Sequence, residues 1–454
     1  MKVSEETKNA YAKSSFKKLN IVFPDLSIGV PMSQVYAQSL NLTEMLIDNS
    51  NVEFVGCIAS KLEIQLSGIS NNIKGQRIEV SIVADNTEEI PLFHGVVDSA
   101  IRQTNRNYKK ITAYDELYTK GNIDVAAWYN SLFFPISLKA MRDSLFAYIG
   151  IEQEEKSLPN DNISINKEFA PTTLQARAVI KSICQINGAF GIINRYGKFE
   201  YRILAEQITE SGAYPGMTLY PDFYPGVGAV SSNGEVVARP IAYYKKVDYE
   251  EYTVKPVEKV TIRQSESDAG VSYGDGTNNY IIQGNMFAVN QSSEVLLSIA
   301  RNIHGSIAGV SFTPFNSDNN GYPFIEVGKD GVSYMTYDYE ASQKARSDIY
   351  TEKVFYVFKR VLTGIQALND KYSVDGEEYQ TEFITDLQTQ IETIKNNLTA
   401  EVSNQVSQQI PNYTYTKQQA DAKFSTLKVL SVAELPANPQ ANTIYLIQGE
   451  VIVE

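Results

Sequence analysis

The sequence predicts a β-rich α+β protein of several domains, and three observations carry that prediction. Aromatic and β-branched residues are abundant, with 29 Tyr and 19 Phe against a single Trp, and such side chains suit a pleated, half-buried surface. Apolar residues alternate with period two in the first 120 residues and again after residue 205, with helical spacing between. At 454 residues and 43% hydrophobic content, the chain is long enough to bury roughly three or four cores.

Residues 1–120 form the first β section. Leu62, Ile64 and Leu66 alternate, as do Ile78, Val80 and Ile82, and Ile111 with Ala113. Polar turns (SGISNNIKG, ADNTEE, RQTNRNYKK) separate these runs, so short strands in a barrel or sandwich are expected. Residues 121–205 read as α+β. Leu138, Met141 and Leu145 mark a helix that Ser137 caps and Gly150 closes. A second helix is expected from Thr172 or Thr173 through Ala176, Val179, Ile180, Ile183 and Cys184 to Gly188. A hairpin then turns at Asn194 to Gly197, between Phe190 and Ile192 on one side and Phe199, Tyr201 and Ile203 on the other.

Residues 206–350 return to strands in YTVKPVEKVTIRQ, NNYIIQG and YPFIEVG, after a Gly- and Pro-rich loop over 211–228 and around a helix from Ser293. Residues 351–412 are expected to be a helical segment leading into a coiled-coil stalk. Ile384, Leu387, Ile391, Ile394 and Leu398 follow 3,4 spacing, and Val402, Val406 and Ile410 continue at steps of four. This seam implies a self-associating stalk ~40 Å long. Ile at several seam positions favours three strands, and Leu at others leaves two open. Pro411 ends the helix, and residues 413–454 form a small β tip too short to bury a core alone.

The charge of −13 excludes a sequence-independent nucleic-acid binder, which needs a basic surface. No apolar run reaches the length of a membrane span, and the charged N-terminal stretch does not resemble a signal peptide. Cys57 and Cys184 read as small buried hydrophobes. His94 and His304, the two histidines, are too far apart in sequence for metal-ligand spacing. The glycines Gly270, Gly274 and Gly276 lack the following Lys-Ser/Thr of a phosphate loop and read as a turn. Asn316, Asp318, Asn320 and Gly321 mimic a calcium loop, but Val327 stands where its bidentate Glu belongs. Glu154 with Glu155, and Glu377 with Glu378, read as solvated faces rather than a glycosidase pair. No catalytic, cofactor-binding or metal-binding residue is therefore assigned, and no cofactor.

Four ordered blocks resemble the hub, or tail-associated, protein family of phage tails. They are FVGCIASKLEIQL with KGQRIEVSIVA, LFHGVVDSAIRQTNRNYKKITAYDEL with Gly95, Tyr114 and Asp115, LQARAVIKSICQINGAFGIINRYGKFEYRIL with Gly188 and Gly197, and GYPFIEVGKDGVSY with Gly321, Pro323, Glu326 and Gly328. Lys329 stands where that family has Asp. YTKQQADAKF and LPANPQANTIYLI resemble segments of phage fibre and tip proteins. The resemblance implies two β-barrel-like tube domains per chain and a homotrimer that adapts a hexameric tail tube to a threefold tip around a channel for genome passage. It also implies a virion tail-tip protein made in the bacterial host cytoplasm, with distal tail proteins, tube proteins and tip or fibre proteins as partners and contact with the host surface. A receptor- or glycan-binding tip protein and a cell-wall hydrolase are the competing expectations.

Overall fold

In the computed structural model the described residues are 1, 3–47, 58–104, 107–167, 169–204, 229–230, 236–241, 244–265, 267–308, 310–376, 428–432 and 443–447. The chain divides into two units, Met1–Leu387 and Gln388–Glu454.

An eleven-stranded sheet dominates the first unit. Its order is Tyr244–Tyr249, Phe315–Asn320, Asn369–Val374, Lys359–Thr363, Asn41–Met45, Lys61–Ser67, Tyr108–Tyr114, Ile90–Arg102, Arg77–Ala84, Lys17–Phe23 and Ile28–Val30. The alternating residues Leu62, Ile64, Leu66, Ile78, Val80, Ile82, Ile111 and Ala113 are all buried, as their period of two demands. The sheets are open, and among the described residues none closes into a barrel, which corrects the barrel-like expectation. The strand Asn41–Met45 would be the one to close a barrel of residues 1–120. Its free edge instead pairs antiparallel with Lys359–Thr363, and through that strand and Asn369–Val374 the sheet continues into Phe315–Asn320 and Tyr244–Tyr249, so strands from the two expected β sections share one sheet.

The α+β section follows its local signals closely. Ser137 caps the helix Leu138–Ile149 by accepting from the Ala140 amide, and Gly150 ends it in the left-handed region at φ 70°. The next helix, Ala176–Ile186, starts later than Thr172, and its Gln175 cap makes no side-chain hydrogen bond. Phe190–Ile193 and Phe199–Arg202 form the expected hairpin, and Phe199 packs on Phe146 with ring centroids 4.5 Å apart. Among the described residues the unit also holds a short pairing of Ile136–Ser137 with Ser164–Ile165 and two larger sheets. One contains Gly331–Tyr337 paired with Tyr350–Tyr356. The other, centred on Lys259–Arg263, lies against the helix Ser293–Ile307, which Ser292 caps.

Two further expectations are corrected. YPFIEVG is not a strand, since the strand lies just before it at Phe315–Asn320 and residues 321–330 form a loop. The pattern misleads because the apolar run follows the needs of burial, not of pairing. The helical segment expected from residue 351 begins instead with strands at Tyr350–Tyr356, Lys359–Thr363 and Asn369–Val374. In the second unit, Lys428–Val432 and Thr443–Ile447 pair in parallel. The N-terminal stretch contains a helix, Glu5–Ala12. The 211–228 loop, Cys57, Glu377 and Glu378 lie outside the described residues.

Gly197 adopts φ +83° in the hairpin turn, and a Cβ there would stand 2.4 Å from His94 Nδ1. Gly197→Ala combines backbone strain with a clash against a ring held in a strand, and is expected to destabilise by about 2 kcal/mol in denaturant unfolding.

Candidate functional site

The seam residues Ile384, Leu387, Ile391, Ile394, Leu398, Val402, Val406 and Ile410 lie outside the described residues. The most unusual chemistry among the described residues is a buried charged junction built around the loop 321–330, where every residue except Lys329 is buried. Buried backbone must find hydrogen-bond partners, and a loop cannot supply its own ladder.

Arginines supply the donors. Arg195, from the hairpin turn, donates to the carbonyls of Pro323 and Ile325. Arg202, at the end of that hairpin, donates to Val327 O. Arg360 Nη2 approaches Tyr322 O at 3.4 Å. Each buried guanidinium then requires a carboxylate. Arg360 makes a bidentate pair with Asp370, Nε to Oδ1 and Nη2 to Oδ2, both at 2.9 Å. Its Nη1 donates to Glu44 Oε2 at 2.9 Å, and Glu44 also lies 3.5 Å from Arg195. Arg202 reaches Glu200 at 3.1 Å and Glu326 at 3.6 Å, while Lys329 lies 3.0 Å from Glu200. Met1 contributes its ammonium to Glu326 at 2.8 Å and Asp330 at 3.1 Å.

The electrostatics follow. Burial alone would push the Glu326 carboxyl up. The Met1 ammonium, Arg195, Arg202 and Lys329 overcome that and hold it well below the ordinary carboxylate range. Burial pulls the Arg360 guanidinium down, yet Asp370 and Glu44 raise it further above its ordinary value. The tyrosines join the same network: Tyr372 donates to Asp370 at 2.9 Å, and Tyr334 donates near Ser317 and Asn319 at 2.8 and 2.9 Å.

The residues singled out in the sequence take structural places. His94 is flanked across its strand by Glu79 and packs under Gly197, and burial lowers its pKa. His304 Nε2 lies 3.1 Å from Glu258 O. The Glu258 carboxylate accepts from the amides of Thr277 and Asn278 and so staples the Gly274–Gly276 turn. Asn316, Asp318 and Asn320 alternate along a strand, on the face opposite buried Ser317 and Asn319. Glu154 accepts from Asn194. Among the described residues no group of His, Cys, Asp and Glu could hold a metal ion.

The sequence reading missed Glu44, Arg195, Arg202, Arg360 and Asp370. A signal existed for three of them. Glu44 alternates with Leu42 and Leu46, Arg360 with Phe358 and Leu362, and Asp370 with Tyr372 and Val374, so each charge occupies a core-facing parity position.

No family model matches the chain, and no curated protein matches it in sequence. Among solved structures it is similar to the 43 kDa tail protein of prophage MuSo2 from Shewanella oneidensis, at 10% identity over 79% of this chain and 98% of that one, TM-score 0.47. It is similar to a tail protein from Neisseria meningitidis MC58, at 10% identity over 79% and 96%, TM-score 0.44. A third is the prophage tail protein gp18 from Listeria monocytogenes EGD-e, at 9% identity over 83% and 99%, TM-score 0.44. Likeness at this level carries no weight for function.

Arg360→Met strands the buried Asp370 carboxylate and leaves Glu44 with Arg195 at 3.5 Å, and is expected to cost about 3–5 kcal/mol in denaturant unfolding, whereas Arg360→Met combined with Asp370→Asn loses less. A second expectation concerns Asp115, which accepts from the Ser60 amide at 2.6 Å and the Leu117 amide at 3.0 Å. Burial pushes its carboxyl up to about 7. The folded state then holds a proton that the unfolded chain releases near pH ~4, so this group's contribution to stability falls as pH rises from ~4 to 7. Asp115→Asn should lower stability overall, through a lost acceptor, and flatten that slope in melting temperature against pH.

Proposed function

We propose that this chain is a structural, non-enzymatic subunit of a phage-type tail, a hub at the tail tip that works as a homotrimer. One observation carries the reading. Sequence blocks that resemble the hub family, far apart in the chain, converge on a single buried residue. Arg195 in the hairpin block donates to Pro323 and Ile325 of the GYPFIEVGKD block. It also reaches Pro91 O at 3.5 Å, beside the LFHGVV block, whose His94 lies under Gly197 of the same hairpin. Residues that serve as turns and contacts at one shared junction give a physical reason for the blocks to occur together.

In this reading the open sheets stand against neighbouring copies, and the apolar seam from Ile384 to Ile410 joins three chains in a stalk below the ring. The trimer adapts a hexameric tube to a threefold tip in the virion. Distal tail and tube proteins lie above it, and tip or fibre proteins lie at its C-terminal end. The net charge of −13 suits a lumen past which DNA moves without adhering. A second reading, a receptor- or glycan-binding tip protein, is favoured by exposed tyrosines on the first unit.

The test is mass by light scattering, for the full chain, a chain ending at Gln380, and the full-length variant Ile391→Asp with Ile394→Asp. A trimer that weakens or dissociates in both altered forms is expected. A full-length monomer overturns the hub reading.

A further inference from the structure

A buried ring nitrogen without a hydrogen-bond partner is unusual, because buried polar atoms are nearly always paired. Nε2 of His94 is such an atom, buried and with no partner among the described residues. The ring belongs to the strand Ile90–Arg102, directly opposite Glu79 of Arg77–Ala84. It lies against Gly197, where a Cβ would stand 2.4 Å from Nδ1 and 2.6 Å from Cε1. The hairpin turn over the ring is braced from within. Asn194 Oδ1 accepts from the amides of Tyr196 and Lys198, both at 3.0 Å, and the Gly197 amide donates to Asn194 O at 3.0 Å. A turn so braced shifts as one piece, and it contains Arg195, the donor to the carbonyls of Pro323 and Ile325.

We propose that His94 is a proton-operated latch between the first β section and the buried 321–330 loop. Neutral, its ring is the floor on which the hairpin turn rests. Charged, both of its nitrogens are donors and both need acceptors. The ring then turns toward a carboxylate, the turn above it loses its floor, and Arg195 is drawn off its two carbonyls. Burial keeps the ring neutral in the folded state, against Glu79 and Glu116, which favour the proton, and with Arg77, which opposes it. Glu116, at the start of the helix Glu116–Lys120, is paired with Lys120 at 2.8 Å, and Arg77 is paired with Asp25 at 2.7 Å. On the hairpin, Lys198 is held by Glu152 at 2.6 Å and Arg195 lies 3.5 Å from Glu44. The carboxylate directly opposite, Glu79, is thus the natural acceptor for the charged ring. Because the folded state resists protonation, the unfolded chain takes up this proton first, near pH ~6.5. The stability that neutral His94 supplies is therefore complete above that pH and is lost as pH falls below it. This inference goes beyond the hub reading and does not depend on it.

The experiment is hydrogen exchange of the full chain, read by mass spectrometry at pH 7.5, 6.5 and 5.5 and corrected for the intrinsic pH dependence of exchange. Wild type, His94→Gln and Glu79→Gln are compared. In wild type, peptides covering 190–202 and 321–330 are expected to exchange faster together, by about threefold or more between pH 7.5 and 5.5. His94→Gln, neutral at every pH, should remove that step from both peptides. Glu79→Gln, which takes away a charge that favours the proton, should move the step to lower pH. Asp115 titrates with the opposite sign and is common to all three proteins, so it cancels in the differences. No step in wild type overturns the latch, as does a step that survives in His94→Gln, or one in 190–202 without its counterpart in 321–330. If His94→Gln does not fold, Glu79→Gln decides alone, and an unshifted step overturns the proposal.

Discussion

A ten-residue loop held in the protein interior sets the terms for the rest of the first unit. Residues 321–330 bury their backbone almost completely, and a buried carbonyl without a donor costs roughly 1–3 kcal/mol. Guanidinium groups answer that need because each offers several donors in a rigid fork. Once Arg195, Arg202 and Arg360 are buried, Glu44, Glu200, Glu326 and Asp370 must follow to balance their charge. The polar network is thus a chain of obligations that starts with one stretch of backbone.

The same chain of obligations explains why sections that look separable along the sequence are joined. The arginines come from the hairpin of the α+β section and from a strand after residue 350, and their carboxylates come from strands near both ends of the first unit (Glu44 and Asp370), from the hairpin (Glu200) and from the loop itself (Glu326). No section can be lifted away without leaving charges in a poorly hydrated interior. Such a junction suits a part whose task is to keep its shape, because breaking any one pair is expensive even when forming it gains little.

Local elements were legible in the sequence, and long-range ones were not. Ser137 and Gly150 bound their helix because capping is a matter of neighbours. The alternation around Leu62 and Ile78 marks strands because one face of each is buried. Sheet closure is decided by what the edge of Asn41–Met45 pairs with, and Lys359–Thr363 is too distant in the chain for any local pattern to reveal. YPFIEVG looked like a strand because burial, which it has, and pairing, which it lacks, share the same residue preferences. The charged junction could have been suspected from Glu44, Arg360 and Asp370 at core-facing positions, but which charge meets which depends on topology.

The pairing of Asn41–Met45 with Lys359–Thr363 also orders events during synthesis. Glu44 and Arg360 are separated by 316 positions, so the edge that receives the later strand is made long before its mate leaves the ribosome. Until then the early strands present an open row of amides and carbonyls and a Glu44 carboxylate that lacks its closer partner, Arg360. Closing so long a connection is slow compared with local hairpin formation, and partly built sheets of this kind are prone to pair with other chains. Synthesis from many ribosomes at once therefore places a premium on chaperone protection of the nascent edge, and truncation anywhere before residue 363 leaves that edge permanently unsatisfied.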